Sequence, residues 1–215
     1  MVSLITKLKT ERQRRIARAQ DIIVKTVFEV FSNNVVLHGG TSIWRCYNGN
    51  RFSEDIDVYI PRNLHKIETF FQLLEKRGLV IERKKISENN LFSTLKFERT
   101  EVRFEAIFKK MSGILKEYQT FEGNLEAIYT LPQEELIKEK ISAYLNRFII
   151  RDLYDVFFLL RYVQNASSIL PFLKKLIDNF DNPKDESNLG ALILSGITPK
   201  STEMIEYIKD RIKNG

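Results

Sequence analysis

HGGTSIWRCYNGNRFSEDIDVYI, residues 38–60, is the stretch whose reading decides the fold. Its end alternates: Asp55, Asp57 and Tyr59 interleave with Ile56, Val58 and Ile60. A strand has a period of two, so this run predicts a strand over 55–60 with both carboxylates on one face and the aliphatic side chains on the core. Two carboxylates converging on a small volume repel each other unless a cation lies between them. Mg²⁺ suits such a site, because it takes one or two carboxylates together with substrate phosphates. The start of the stretch is a glycine turn, Gly39 and Gly40, after the apolar run Val35, Val36 and Leu37. Glycines let the backbone approach a phosphate where a Cβ would clash. Thr41 and Ser42 then supply hydroxyls at the start of a helix, where the dipole favours anions, although both residue types also serve as N-caps. A metal site beside a phosphate cradle points to phosphoryl or nucleotidyl transfer.

Outward from this stretch, residues 4–31 read as one amphipathic helix with Ile16, Ile22, Ile23, Val27 and Val30 among its apolar positions. Residues 35–38 read as a buried strand end and 41–47 as a helix. Pro61 stops the carboxylate strand, and 63–77 form a helix ended by Gly78. Three strand-like runs follow, at 79–86, 91–98 and 102–108. In the last of these Glu105 alternates with Phe104 and Ala106, which makes it a candidate third carboxylate or a surface glutamate paired with Arg103. This order predicts an α/β (α+β) core with a mixed sheet. Residues 114–130 are ambiguous, with short strands as one reading. From Pro132 the pattern is helical, at 133–147, 152–164, 167–179, 185–194 and 201–213. A boundary near 112 divides an N-terminal core, 1–112, from a mainly helical part, 113–215.

The motifs GGTS and RFSEDIDV resemble the active-site signature of the DNA polymerase β-like nucleotidyltransferase superfamily, and in this form the AbiEii/AbiGii toxin family. PQEELIKEKISAYLNRFIIRDLYDVFFLL, residues 132–160, is similar to the second half of that family's pattern, in which a lysine, an arginine and an R-D-x-x-D element lie on consecutive helices. The resemblance covers roughly residues 35–160. It implies a polymerase β-like core with a nucleotide in the cleft before a helical part, and toxins of toxin–antitoxin or phage-defence systems. It implies Asp55 and Asp57 as metal ligands, Glu105 as a third, and Mg²⁺ (or Mn²⁺) with an NTP substrate. It implies Gly39, Gly40, Thr41, Ser42, Arg45 and Ser53 around the phosphates, with Lys140 and Arg147 neutralising charge. Asp152 and Asp155 would be the functional carboxylates of R-D-x-x-D, Asp155 acting as base.

The residues themselves leave alternatives open. Arg45 could reach a phosphate or pair with an acid. Ser53 could bond a phosphate or shape a turn, and Arg51 is a weaker candidate beside it. Lys140 could be a snorkelling surface lysine, and Lys138 is its rival, although the family pattern favours Lys140. Asp152 could cap its helix while Asp155 pairs with Arg151 across one turn. His38, Trp44 and Cys46 read as structural.

Composition excludes other classes. No apolar run approaches the roughly 20 residues that span a bilayer, no secretory h-region opens the chain, and the single Cys46 excludes an internal disulfide or a cysteine-rich metal site. The cytoplasm is the default compartment. The net charge is +6, with Lys7, Lys9, Arg12, Arg14, Arg15 and Arg18 clustered against Glu11; such a stretch either attracts a polyanion or forms a solvated helix face. The expected activity is transfer of an NMP from an NTP to an RNA end (the tRNA 3′ end) or a protein hydroxyl, restrained by an antitoxin partner. The alternatives are a nucleotide- or RNA-binding regulator without catalysis, and a kinase-like phosphotransferase.

Overall fold

The computed structural model describes residues 4–213, folded as two compact units. One comprises the chain through Asn48 together with Phe52–Leu131; the other comprises Gly49–Arg51 and the chain from Pro132 onward.

The first unit is built on a mixed sheet of seven strands among the described residues, in the order β3-β4-β5-β2-β1-β7-β6. Its strands are β1 (Val36–His38), β2 (Ile56–Ile60), β3 (Leu79–Ile86), β4 (Asn90–Phe97), β5 (Thr100–Phe108), β6 (Ile114–Gln119) and β7 (Leu125–Thr130). β2 runs antiparallel to β1 and parallel to β5. The ambiguous segment after residue 112 is strand: β7 pairs parallel with β1, and β6 pairs antiparallel with β7. For that reason the division expected near residue 112 lies after Leu131.

The expected single helix over 4–31 is two helices, α1 (Leu4–Lys7) and α2 (Glu11–Phe31). Thr10 breaks it with a capping box: its hydroxyl accepts from the Gln13 backbone N–H at 3.1 Å, and the Gln13 side chain accepts from the Thr10 N–H at 3.2 Å. The stripe of α2, with Ile16, Ile23, Val24, Val27 and Phe31 buried, packs on β2, β4 and β5. α3 (Gly39–Cys46) follows β1 directly and takes both glycines into its first turn. α4 (Leu64–Lys76), capped by Asn63, covers β3 and packs on α2. The Phe70 ring of α4 packs at a tilt on Phe104 of β5, centroids 4.8 Å apart, so the helices cover the Phe104 face and leave Arg103, Glu105 and Ile107 on the other, exposed face.

The second unit is helical, as expected: α5 (Gln133–Arg147), α6 (Ile150–Leu159), α7 (Leu170–Asp178), α8 (Leu189–Leu192) and α9 (Ser201–Lys213). Phe148, left-handed at φ 53°, ends α5 and turns the chain into α6. Residues 49–51 join this unit through a bridge from Arg51 to Ile193 and a 2.6 Å bond from the Leu194 N–H to the Asn50 carbonyl. Among the described residues no helix is long and apolar enough to cross a membrane.

Candidate active site

The first group of candidate residues lies in the sheet unit, where strand register places it. His38 of β1 stands opposite Asp57 of β2, and Asp57 stands opposite Glu105 of β5. Asp55 immediately precedes β2 on the same face. The Glu105 carboxyl is raised above its ordinary value, first by burial and then by the neighbouring charges of Asp57 and Asp55. His38 stacks on Tyr59 with ring centroids 4.1 Å apart, a structural role for the histidine.

Asp55 has a partner that the sequence did not assign to it. Arg103, the β5 residue two before Glu105, forks both Asp55 carboxylate oxygens at 2.8 and 2.6 Å. The open pairing of Glu105 with Arg103 is therefore replaced by Asp55 with Arg103. Among the described residues, no three His, Cys, Asp or Glu side chains are gathered closely enough to hold a metal by themselves. Asp55 is drawn toward Arg103, so the expected Asp55, Asp57 and Glu105 set is not drawn together as three ligands.

The glycine turn serves the carboxylates directly. Gly39 has φ +69°, and a Cβ built on it would lie 2.2 Å from Asp57 Oδ2. The glycine makes room for the carboxylate itself, a constraint on top of any phosphate approach. Gly40 is buried in the first turn of α3.

The hydroxyls and Arg45 are turned inward, which corrects their expected place around a phosphate. Thr41 donates its hydroxyl to the Asp55 carbonyl, and Ser42 shares a 2.5 Å hydrogen bond with Thr130 on β7. Arg45 is 1% exposed; it donates to the Gln119 and Ala17 carbonyls at 2.9 and 2.8 Å and lies 3.3 Å from Asp21. The buried hydroxyls and guanidinium tie α3 to the sheet and to α2, which spends donors that a phosphate would need. Ser53 is buried too, and its carbonyl accepts from the Gln20 side chain at 2.9 Å. Gln20, which the sequence reading missed, also donates to the Glu54 carbonyl at 3.2 Å and the Thr41 hydroxyl at 3.2 Å. Gln20 and Thr41 thus pin the loop that presents Asp55. Its signal was available, since a buried glutamine interrupts the apolar stripe of α2 between Ile16 and Ile23. Cys46 is a buried thiol pushed up to about 12, primarily by burial, so it is no nucleophile at neutral pH.

The four arginines of the basic N-terminal stretch share three carboxylates. Arg12 forks Glu54, Arg14 pairs with Glu11, and Arg15 and Arg18 reach Glu11 and Glu98. These ion pairs favour the solvated-face reading over a polyanion site.

The second group lies in the helical unit as one chain of alternating charge. Arg147 forks Asp152 at 2.7 and 2.8 Å, Lys140 Nζ lies 3.6 Å from Asp152 and 2.9 Å from Asp155, and Arg51 forks Asp155 at 2.8 and 2.7 Å. Asp152 and Asp155 are 0% and 1% exposed. Asp152 is no cap, since Ile149 holds the N-cap position of α6, and Asp155 pairs with Arg51 in place of Arg151. Burial pushes the Asp155 carboxyl up, but the Arg51 and Lys140 charges outweigh it and hold the group below its ordinary value. A buried, doubly paired carboxylate of lowered pKa anchors cations and is a poor proton acceptor, which corrects the expected base. Of the two lysines, Lys140 is the one drawn into this network; Lys138 pairs with Glu135 at 2.7 Å.

Comparison with known proteins agrees with the fold and the motifs. The structure is similar to that of JHP933 from Helicobacter pylori, at 19% identity and a TM-score of 0.67, covering 96% of this chain and 94% of that one. It is also similar to MenT4, a nucleotidyltransferase toxin from Mycobacterium tuberculosis, at 16% identity and a TM-score of 0.63, covering 92% and 81%. No curated protein sequence matches the chain. The model of the nucleotidyl transferase AbiEii toxin family, a type IV toxin–antitoxin system, matches residues 22–212. With nearly the whole chain matched and the two aspartates of its signature on one sheet face, this protein belongs to the AbiEii family of toxins and is a nucleotidyltransferase.

Proposed function

We propose that the protein transfers a nucleoside monophosphate from an NTP to an RNA end, with the tRNA 3′ end as the first acceptor to test, in a Mg²⁺-dependent reaction restrained by a cognate antitoxin. The acceptor hydroxyl oxygen forms a bond to the α-phosphorus, the bond from that phosphorus to the bridging oxygen breaks, and pyrophosphate leaves.

The observation that carries this reading is the placing of Asp55, Asp57 and Glu105 on one face of the sheet, with Asp57 opposite Glu105 in register and Gly39 shaped around the Asp57 carboxylate. Two carboxylates on one face, Asp55 and Asp57, suit a hard divalent cation that takes its other ligands from substrate phosphates and would relieve their repulsion. Asp55 and Asp57 would hold the cation, with Glu105 beside them, and the bound ion would polarise the phosphoryl oxygens. Glu105, opposite Asp57 on the same face, is the carboxylate placed to take the acceptor hydroxyl's proton. In the helical unit, Asp152 and Asp155 hold the side chains of Lys140 and Arg147 in place. The net charge of +6 favours RNA over a protein hydroxyl as acceptor.

Total tRNA incubated with Mg²⁺ and each NTP, radiolabelled in turn on the α-phosphate, tests the reading. Label is expected on RNA with one NTP, and a loss of about 10³-fold or more is expected in Asp55→Ala and in Asp57→Ala. Label that reaches protein only from the γ-phosphate, with NDP as product, would replace nucleotidyl transfer with kinase chemistry.

Arg103 gives a second prediction. Its fork competes with a cation for Asp55, so Arg103→Gln is expected to tighten Mn²⁺ binding without nucleotide. Arg103 is half exposed, so the pair is worth about 1 kcal/mol, or roughly fivefold in affinity. Electron paramagnetic resonance of free Mn²⁺ reads this out, and unchanged or weakened binding would show that Arg103 does not compete.

A further inference from the structure

β3 is an edge strand with a bulge, and the bulge decides where its cations point. Before it, Ile81 stands opposite Leu95, on the helix-covered face. Simple alternation from Ile81 would put Arg83 and Lys85 on that same covered face. The register shifts between Ile81 and Arg83, so Arg83 stands opposite Thr94, Lys84 opposite Ser93 and Lys85 opposite Phe92. Lys84 accordingly pairs with Glu68 of α4 on the covered side, at 2.9 Å. Arg83 and Lys85 are turned to the open side, where both are exposed and neither has a carboxylate partner among the described residues. Bulges of this kind re-aim side chains beside functional sites.

That open side is the face of the catalytic carboxylates. Phe92 stands opposite Glu105, and Glu105 opposite Asp57, so Lys85, Phe92, Glu105 and Asp57 form one lateral row across four strands. Three strand spacings of about 4.8 Å separate Lys85 from Asp57, roughly 14 Å in all. Phe92 is half-buried in the middle of the row, with a ring available on the open side.

We infer that this row, Glu105 to Phe92 to Lys85 with Arg83 beside it, is the track on which a single-stranded polynucleotide acceptor lies with its reacting end at the carboxylates. The inference rests on the reading of RNA as acceptor. An aromatic ring flanked by cations on an open sheet offers stacking to a base and charge to phosphates, and neither requires a particular sequence. Lysine on an edge strand also blocks pairing with other chains, but edge protection alone needs no bulge that turns Arg83 and Lys85 toward the active face.

The test is the fluorescence anisotropy of a short labelled single-stranded RNA of mixed sequence, titrated with the full chain at several salt concentrations. Arg83→Gln with Lys85→Gln is expected to weaken binding about tenfold at ~0.1 M salt and to reduce the salt slope by about 1.4, two phosphate contacts at roughly 0.7 each. Phe92→Leu, which keeps the apolar contact and removes the ring, is expected to weaken binding about tenfold with the slope unchanged. A charge-matched double variant on the outer surface of the covering helices, Lys25→Gln in α2 with Lys76→Gln in α4, is expected to bind as the parent does. Thermal melts confirm that each variant is folded. If the parent binds RNA and the open-face variants match it, this inference falls while the RNA reading stands. If the parent binds no RNA and α-label goes to protein, the acceptor reading falls and takes this inference with it. Equal affinity for the same RNA annealed to its complement, or equally strong competition by polyglutamate, would reassign the face to duplex RNA or to an acidic protein and overturn the single-strand assignment.

Discussion

Gly39→Ala is expected to reduce nucleotidyl transfer by about 10²-fold or more and to destabilise the sheet unit, through two separable effects. The first is backbone conformation: φ is +69° at Gly39, and a left-handed L-residue costs about 1–2 kcal/mol. The second is the new methyl carbon, which would lie 2.2 Å from Asp57 Oδ2 and 2.9 Å from its Cγ. No rotation of a flexible chain end relieves this, because Asp57 is short and fixed on β2, so either the strand end or the carboxylate must move. A displacement of about 1 Å in a catalytic group costs on the order of 10²-fold. Gly78 is the control. It also has a left-handed φ, +86°, but nothing lies within 4 Å of its added Cβ. Gly78→Ala is therefore expected to show only the backbone cost, with transfer unchanged. Adding Asp57→Ala to Gly39→Ala removes the contacts with Oδ2 and Cγ, leaving only the Cβ of residue 57 at 3.1 Å, and is expected to recover part of the melting temperature without restoring activity. Full activity in Gly39→Ala would show that Asp57 has slack that this geometry denies.

Period and spacing made much of this site legible. The alternation through Asp55, Asp57 and Tyr59, and that through Phe104, Glu105 and Ala106, fixed which side chains share a face, and register then brought Asp57 and Glu105 together. The glycine turn was legible as a place of special conformation, but not as one shaped by Asp57, since that contact joins residues 18 positions apart in sequence through the sheet. The inward turn of Thr41, Ser42 and Arg45 was not legible. A hydroxyl or guanidinium beside a glycine turn reads the same whether it faces a ligand or a neighbouring carbonyl. Only the positions of Gln119, Ala17 and Thr130 decide between these. β6 and β7 were ambiguous for a related reason. Their exposed residues, Leu115 at 60% and Leu125 at 44%, blur the alternation that a half-buried strand should show. The helical unit was nearly complete in outline, whereas the partners of Asp155 were not. Arg51 is 104 positions from Asp155 and lies beside the motif it was read with, Ser53 and Asp55.

Asp155→Ala is expected to be the most destabilising single substitution in the helical unit, at about 3–5 kcal/mol. The carboxylate is 1% exposed and compensates two cations at once, Arg51 through a two-point fork and Lys140 at 2.9 Å. Removing it leaves the buried Arg51 guanidinium without its fork and Lys140 with only Asp152, at 3.6 Å and already forked by Arg147. If the cost arises from those orphaned cations, it must shrink when one is also removed. Arg51→Leu with Asp155→Leu is expected to cost clearly less than the sum of the two single substitutions, measured as a double-mutant cycle in urea. The pH dependence supplies the sign. The folded Asp155 carboxyl is held below its unfolded value by Arg51 and Lys140 against the cost of burial. Between the two values the unfolded chain binds more protons, so stability rises with pH there. The contribution is fully present above the ordinary carboxylate range and is lost as pH falls through the depressed folded value. Urea midpoints from neutral to acid pH should therefore fall steeply for the parent and more shallowly for Asp155→Ala. Parallel acid limbs would mean that other carboxylates dominate, and additive single costs would mean that Asp155 stabilises by packing and not by charge.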